Sequence, residues 1–192
     1  MAQTLKDKRF AAVVTNGFEQ SELFEPQQAL QDAGAKLDIV APDSGMVRGW
    51  DRTDWGDRVN VDRTLSEVSA EEYDGLLLPG GVMSPDKLRM NEQAVAFVKA
   101  FADAGKPIAA ICHGPWTLIE AGAVAGRRLT SYPSLKTDLR NAGAEWVNEP
   151  VVVDGGLVTS RRPDDIPAFN RKMLEEFAEG AHTPASTSRG TR

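Results

Sequence analysis

The sequence is poor in several residue types, and each scarcity excludes a class of protein. Its 192 residues include one cysteine and two histidines. No internal disulfide can therefore form, and a zinc site built from Cys and His ligands is not expected. No apolar run is long enough to span a bilayer. The charged first residues are not followed by the apolar stretch and small-residue cleavage site of a signal peptide. We expect a cytoplasmic protein with no membrane partner.

Positive charge is scarce as well. The chain has 22 Lys and Arg against 28 Asp and Glu, a net charge of -6 and a pI near 5.0. Nucleic acids and anionic membranes bind basic surfaces, so we expect no nucleic-acid partner. The sequence also lacks a Walker A motif and a G-x-G-x-x-G motif after a strand. We therefore expect no nucleotide cofactor, no other cofactor and no metal.

What remains is the pattern of one α/β domain. Short β-branched runs alternate with helical stretches, which is typical of a mostly parallel sheet covered on both faces. Strands are predicted at residues 9–15, 36–42, 75–81 (ending in a Gly-Gly turn) and 106–112, with a hairpin at 150–163. Helices are predicted at residues 20–34, 91–105, 114–123, 134–143 and 165–180.

Two stretches depart from this alternation. Residues 43–63 are rich in Gly, Asp, Arg and Trp and are predicted to form a loop or a β excursion. Trp50 and Trp55 in this excursion could serve an interface or cap a pocket. Residues 181–192 lack large apolar side chains, so we expect domain 1–180 to be followed by a disordered tail that leaves His182 solvated.

The single cysteine lies in "PIAAICHGPWTL", residues 107–118. Here a buried strand would run into a sharp turn and then a helix, the arrangement that lifts a nucleophile above the carboxyl edge of a sheet. Gly114 would allow close approach, and Pro115 suits the first helical turn. Although lone cysteines are more often inert, this context favours Cys112 as a nucleophile. The helix N-terminus is expected to lower its pKa and to give a thiolate at neutral pH.

The motifs "LLLPGG", "AAICHGPWTLIEAG", "NGFEQSE" and "TSYPSLKTDLRNAGAEWV" closely resemble the PfpI intracellular peptidase family. The likeness covers residues 9 to 179 in order, and the excursion is similar to the bacterial general-stress-protein branch. The resemblance implies a flavodoxin-like three-layer fold within the class I glutamine amidotransferase-like superfamily. Amidotransferase chemistry itself is excluded, because it needs a histidine well downstream of the nucleophile and only His182 lies there.

The resemblance also implies roles for particular residues. Cys112 would be the nucleophile, and the adjacent His113 the general base of peptidase members. Glu19 would be a protonated carboxyl beside the sulfur, and the backbone N–H groups of Gly81 and His113 would hold an oxyanion. Asp86 would supply the acid of a triad to a neighbouring subunit, or else be an exposed helix-capping residue.

Three activities follow from this set of residues. The first is a deglycase or glutathione-independent glyoxalase, in which Cys112 attacks small carbonyl compounds or early adducts on glycated proteins and peptides. The second is a cysteine peptidase, which ranks lower because consecutive Cys and His side chains rarely converge. The third is a redox sensor or chaperone that acts through oxidation of Cys112. A homo-oligomer, either a dimer or a hexamer of dimers, is expected by resemblance.

Overall fold

A computed structural model describes residues 4–183 of the chain. The strands in chain order are β1 (Arg9–Val13), β2 (Phe18–Glu19), β3 (Lys36–Ala41), β4 (Met46–Asp51), β5 (Asp54–Asn60), β6 (Arg63–Thr64), β7 (Gly75–Leu78), β8 (Ile108–Ile111), β9 (Arg128–Leu129), β10 (Glu145–Trp146), β11 (Val151–Asp154) and β12 (Leu157–Ser160). The helices are α1 (Gln20–Asp32), α2 (Met83–Leu88), α3 (Glu92–Asp103), α4 (Pro115–Glu120), α5 (Lys136–Asn141) and α6 (Ile166–Glu179).

Seven strands form the central sheet, in the order β11-β12-β8-β7-β1-β3-β6. All neighbours are parallel except β11, which pairs antiparallel with β12 through the predicted hairpin. Every residue of β7 and β8 is buried, as expected for short apolar runs covered on both faces. The predicted α/β fold with a mostly parallel, helix-flanked sheet is confirmed.

The helices divide between the two faces of the sheet. On one face Phe101 of α3, Leu118 of α4 and Leu139 of α5 belong to the same buried cluster. On the other face α1 packs against α6, and the ring of Phe177 stacks on Phe10 of β1 at 4.4 Å. The spacing of apolar residues explains this burial, because each helix presents one apolar stripe to the sheet.

The excursion is a β hairpin. Strands β4 and β5 pair antiparallel, and β2 pairs with β4 in a separate three-stranded sheet. Because β2 directly precedes α1, the hairpin is held beside the carboxyl ends of the central strands. The sequence did not predict α2, which follows the Gly80-Gly81 turn.

None of the helices in residues 4–183 has the length and apolar character that a bilayer crossing requires. His182 lies in the segment that was predicted to be a disordered tail, and the prediction that it is solvated is wrong. Its N–H donates to the carbonyl of Gly105 at 2.8 Å, and its side chain is 29% exposed. The rest of the predicted tail, from residue 184, lies outside the described residues.

Candidate active site

Cys112 occupies a strained turn between β8 and α4. Its φ of 62° lies in the left-handed region that side chains rarely adopt. Its N–H donates to the carbonyl of Ser160 at 3.0 Å, which ties the turn to the neighbouring strand. A Cβ on Gly114 would lie 2.5 Å from the carbonyl oxygen of Leu78, so glycine is needed there. The turn predicted from the sequence is therefore present.

The carboxyl beside the sulfur belongs to Glu22. This side chain is completely buried, and its Oε2 accepts a hydrogen bond from the N–H of Gly80 at 2.8 Å. Glu22 and the Cys112 thiol interact closely enough to shift each other's pKa. A Cβ on Gly80 would lie 2.4 Å from Glu22 Oε2 and 2.6 Å from Cys112 Cβ. Gly80 thus provides the space in which the carboxyl and the thiol meet.

The structure does not place Glu19 in the role expected from the resemblance. Its carboxylate accepts instead from the backbone N–H of Arg52 at 3.3 Å and from the Ser21 hydroxyl at 3.4 Å. Glu19 precedes α1, whereas Glu22 lies in its first turn on the inward face, with Leu23. A carboxylate at an apolar-face position is the sequence signal for Glu22, which was not among the predicted site residues.

Burial changes the charge state of Glu22. Desolvation first, and the nearby Glu19 second, raise the pKa of Glu22 to about 8. Its carboxyl is therefore neutral at pH 7 and carries a proton that it can donate. Its other oxygen, Oε1, is buried and has no hydrogen-bond partner among the described residues. Burial also raises the pKa of Glu19.

The helix start does not lower the pKa of Cys112 as expected. Burial above all, together with any negative charge on Glu22, raises the pKa of the thiol, while the N–H groups of Gly81 and His113 lower it. The first-turn amides of α4 are engaged locally, because the Trp116 N–H donates to the His113 carbonyl and the Thr117 N–H to the Gly114 carbonyl. Because Glu22 is mostly neutral below pH 8, its negative charge raises the pKa of the Cys112 thiol only in alkaline solution.

Cys112 and His113 do converge, contrary to the expectation for consecutive residues. The sulfur lies 3.2 Å from His113 Nδ1, because the positive φ of Cys112 turns the two side chains toward each other. Burial lowers the pKa of His113 to about 4, so its imidazole is neutral at pH 7 and can accept a proton. Tyr132 stacks on the ring at 4.8 Å, and Ser134 Oγ lies 3.3 Å from Nε2.

Asp86 does not join this group within the chain. It lies in α2, is half exposed and pairs with Arg89 at 3.0 Å. The Arg89 guanidinium in turn lies 4.3 Å above the ring of Trp116, which borders His113. The role of Asp86 in a neighbouring subunit stays a prediction.

The backbone N–H groups of Gly81 and His113 both act to lower the pKa of the Cys112 thiol. Gly81 has a φ of 80°, and a Cβ there would lie 2.5 Å from the carbonyl oxygen of Gly17. The turn after β7 therefore requires glycine for its own geometry. The oxyanion role expected for the Gly81 and His113 amides stays a prediction.

A cavity of about 670 Å³ opens above the sulfur, although Cys112 itself is only 7% exposed. The β4–β5 hairpin contributes Trp50 and Arg52 to its wall, opposite Tyr132. Trp55 supports Trp50 edge to face at 5.5 Å. The excursion thus borders the pocket, one of the two alternatives left open by the sequence. Among residues 4–183, the three side chains placed to share a metal ion lie elsewhere, at the end of α6.

Comparisons with known proteins agree with this geometry. Residues 8–176 match the DJ-1/PfpI family. The chain is 47% identical to General stress protein 18 of Bacillus subtilis over 87% of its length and 96% of that protein. It is 42% identical to Protein/nucleic acid deglycase 2 of Escherichia coli over 87% of its length and 96% of the relative.

The fold agrees as well. The crystal structure of DJ-1beta from Drosophila melanogaster superposes with a TM-score of 0.81 at 31% identity. The match covers 89% of this chain and 90% of that one. The sheet, the elbow and the pocket lie within residues 8–176, the range that the family comparison matches.

Proposed function

The chain belongs to the DJ-1/PfpI family, and we propose that it is a cysteine-dependent enzyme that acts on reactive-carbonyl adducts, as a deglycase or glutathione-independent glyoxalase. The observation that carries this proposal is the buried contact between Cys112 and the neutral carboxyl of Glu22 at the base of the pocket. Relatives named as deglycases support the substrate class.

Addition of the sulfur to an aldehyde is the first step. As the C–S bond forms, the thiol proton passes to Nδ1 of His113, 3.2 Å away, and the carbonyl electron pair moves onto oxygen. The amides of Gly81 and His113 stabilise the developing oxyanion. Glu22 donates its proton to this oxygen, which gives the hemithioacetal and leaves Glu22 as a carboxylate that can accept the next proton. No cofactor is required for this step.

Transfer of a proton follows. With methylglyoxal, moving a proton from the thiol-bearing carbon to the neighbouring carbon converts the hemithioacetal into a thioester, and hydrolysis then yields lactate. The net reaction is methylglyoxal plus water to lactate. Glu22 is the group we assign to this transfer, because it is the carboxyl next to the sulfur and its pKa of about 8 suits exchange near neutral pH.

Lactate release from methylglyoxal tests the proposal. We expect Cys112→Ser to abolish it and Glu22→Gln to lower kcat/KM by about 10²-fold or more, the range for loss of an acid–base group. Glu19→Gln is the matched control and should retain activity within a few-fold. Glycated protein and glycated nucleic acid should be assayed in parallel. Activity that survives Cys112→Ser would refute the carbonyl mechanism.

A peptidase is the second candidate, favoured by the short distance from Sγ to His113 Nδ1. It would require a homo-oligomer in which Asp86 of one subunit reaches His113 of another. Cleavage of a fluorogenic peptide that is lost in both His113→Ala and Asp86→Ala, with lactate release absent, would select it. If peroxide adds two oxygens to Cys112 and neither activity is detected, a redox-sensing role replaces both.

A further inference from the structure

Three potential metal ligands meet where α6 ends, far from the active-site turn. Glu176 and Glu179 are one turn apart on the same helical face. Gly180, with a φ of 83°, then reverses the chain so that His182 returns over that face. The donor atoms of all three side chains lie within 4.8 Å of one another.

Two of these donor atoms are buried and unpaired. Glu176 is 8% exposed, and neither its Oε2 nor Nε2 of His182 has a hydrogen-bond partner among the described residues. The two atoms nevertheless lie 3.1 Å apart. The approach lacks hydrogen-bond geometry, so no hydrogen bond offsets the cost of desolvating the two atoms. A shared cation would supply the missing partner for both.

The separations match those of a metal site. Zinc bonds of about 2.0–2.2 Å in tetrahedral geometry place donor atoms about 3.3–3.6 Å apart. His182 Nε2 lies 3.1 Å from Glu176 Oε2 and 3.9 Å from Glu179 Oε2, on either side of that range. Two carboxylates and one imidazole suit a divalent transition ion and leave a fourth position for water.

We propose that Glu176, Glu179 and His182 form a binding site for a divalent transition-metal ion of the zinc class. The ion would join the C-terminal segment to the end of α6. The backbone already holds this segment in place, because the His182 N–H donates to Gly105 before β8. No metal was expected from the sequence, where only Cys and His were weighed as ligands; here two carboxylates complete the set with one histidine. The site is independent of the carbonyl chemistry at Cys112.

Zinc titration by calorimetry tests this site, with tag-free, chelator-treated protein. The background variant is Cys112→Ser, because the active-site thiol could itself bind zinc. We expect one ion per chain, retained when the other histidine is changed in His113→Gln. Binding should be lost or at least about tenfold weaker in His182→Gln and in Glu176→Gln. Cobalt substitution should give the visible absorption of a tetrahedral site.

Thermal unfolding supplies a second measurement, because an ion that binds only the folded state raises Tm. Zinc should raise Tm in the Cys112→Ser background and not in the same background with His182→Gln. The proposal is overturned if the Cys112→Ser protein binds no zinc, or if its zinc binding survives both His182→Gln and Glu176→Gln. In that case the cluster is an ion pair only.

Discussion

Polar groups lie at both ends of strand β8. Those at the amino end are hydrogen-bonded, whereas some of those at the carboxyl end are strained or unpaired. Before its amino end, Lys106 Nζ donates to the carbonyls of Ala70 and Tyr73 at 2.8 and 2.6 Å. After its carboxyl end, Cys112 is strained, and the buried Glu22 has an oxygen, Oε1, with no hydrogen-bond partner in residues 4–183. Hydrogen-bonded polar groups stabilise the fold, whereas the strained and unpaired ones at the pocket reduce its stability.

The largest effect is expected at Gly80, where the added Cβ of Gly80→Ala would overlap both Glu22 and Cys112. We expect kcat/KM for lactate formation to fall by about 10³-fold, because a misplaced catalytic pair loses its alignment. Gly122→Ala is the control. Its Cβ would meet nothing within 4 Å, although its φ of 68° makes it mildly destabilising. Equal losses of activity in both variants would show that general destabilisation, not the contact, is responsible.

The next effect concerns stability against pH. The folded-state pKa of Glu22 is raised to about 8 from 4.5. The folded state therefore holds this proton more tightly than the unfolded chain does, and that contribution to stability is complete below pH 4.5 and lost as pH rises to 8.

Urea unfolding of wild type and Glu22→Gln between pH 5 and 8 measures this contribution. The free energy of unfolding of wild type should fall relative to the variant by about 1.4 kcal/mol per pH unit at most, several kcal/mol in all. Parallel curves for the two proteins would mean that Glu22 ionises at its ordinary pKa.

A smaller effect is expected at the amino end. Lys106→Met keeps most of the apolar stem but leaves the carbonyls of Ala70 and Tyr73 without their donor, which should cost about 2 kcal/mol of unfolding free energy. Alkylation of Cys112 should be unchanged, because the two ends of β8 act independently. A change in sulfur reactivity in this variant would contradict the division of roles.

The sequence predicts the secondary structure better than it predicts which side chains meet around the sulfur. The strands, the hairpin and the elbow followed from local patterns, namely short apolar runs, Asp-Gly-Gly and Cys-His-Gly-Pro. The partner of the sulfur did not, because the choice between Glu19 and Glu22 depends on which of them faces inward from α1. The convergence of His113 on Cys112 depends on a single positive φ, and the docking of His182 depends on the turn at Gly180; neither is visible in composition.

The account depends most on the contact between Glu22 and the sulfur, and alkylation of Cys112 measures the effect of that contact on the thiol. The rate of iodoacetamide modification of Cys112 should be followed against pH in wild type, Glu22→Gln and Glu19→Gln. The thiol titrates in the alkaline range, where Glu22 is ionised and its negative charge raises the pKa of Cys112. We therefore predict that Glu22→Gln lowers the alkylation midpoint by about one pH unit, while Glu19→Gln leaves it within a few tenths of wild type. An unchanged midpoint in Glu22→Gln, or a shift found only in Glu19→Gln, would contradict the account.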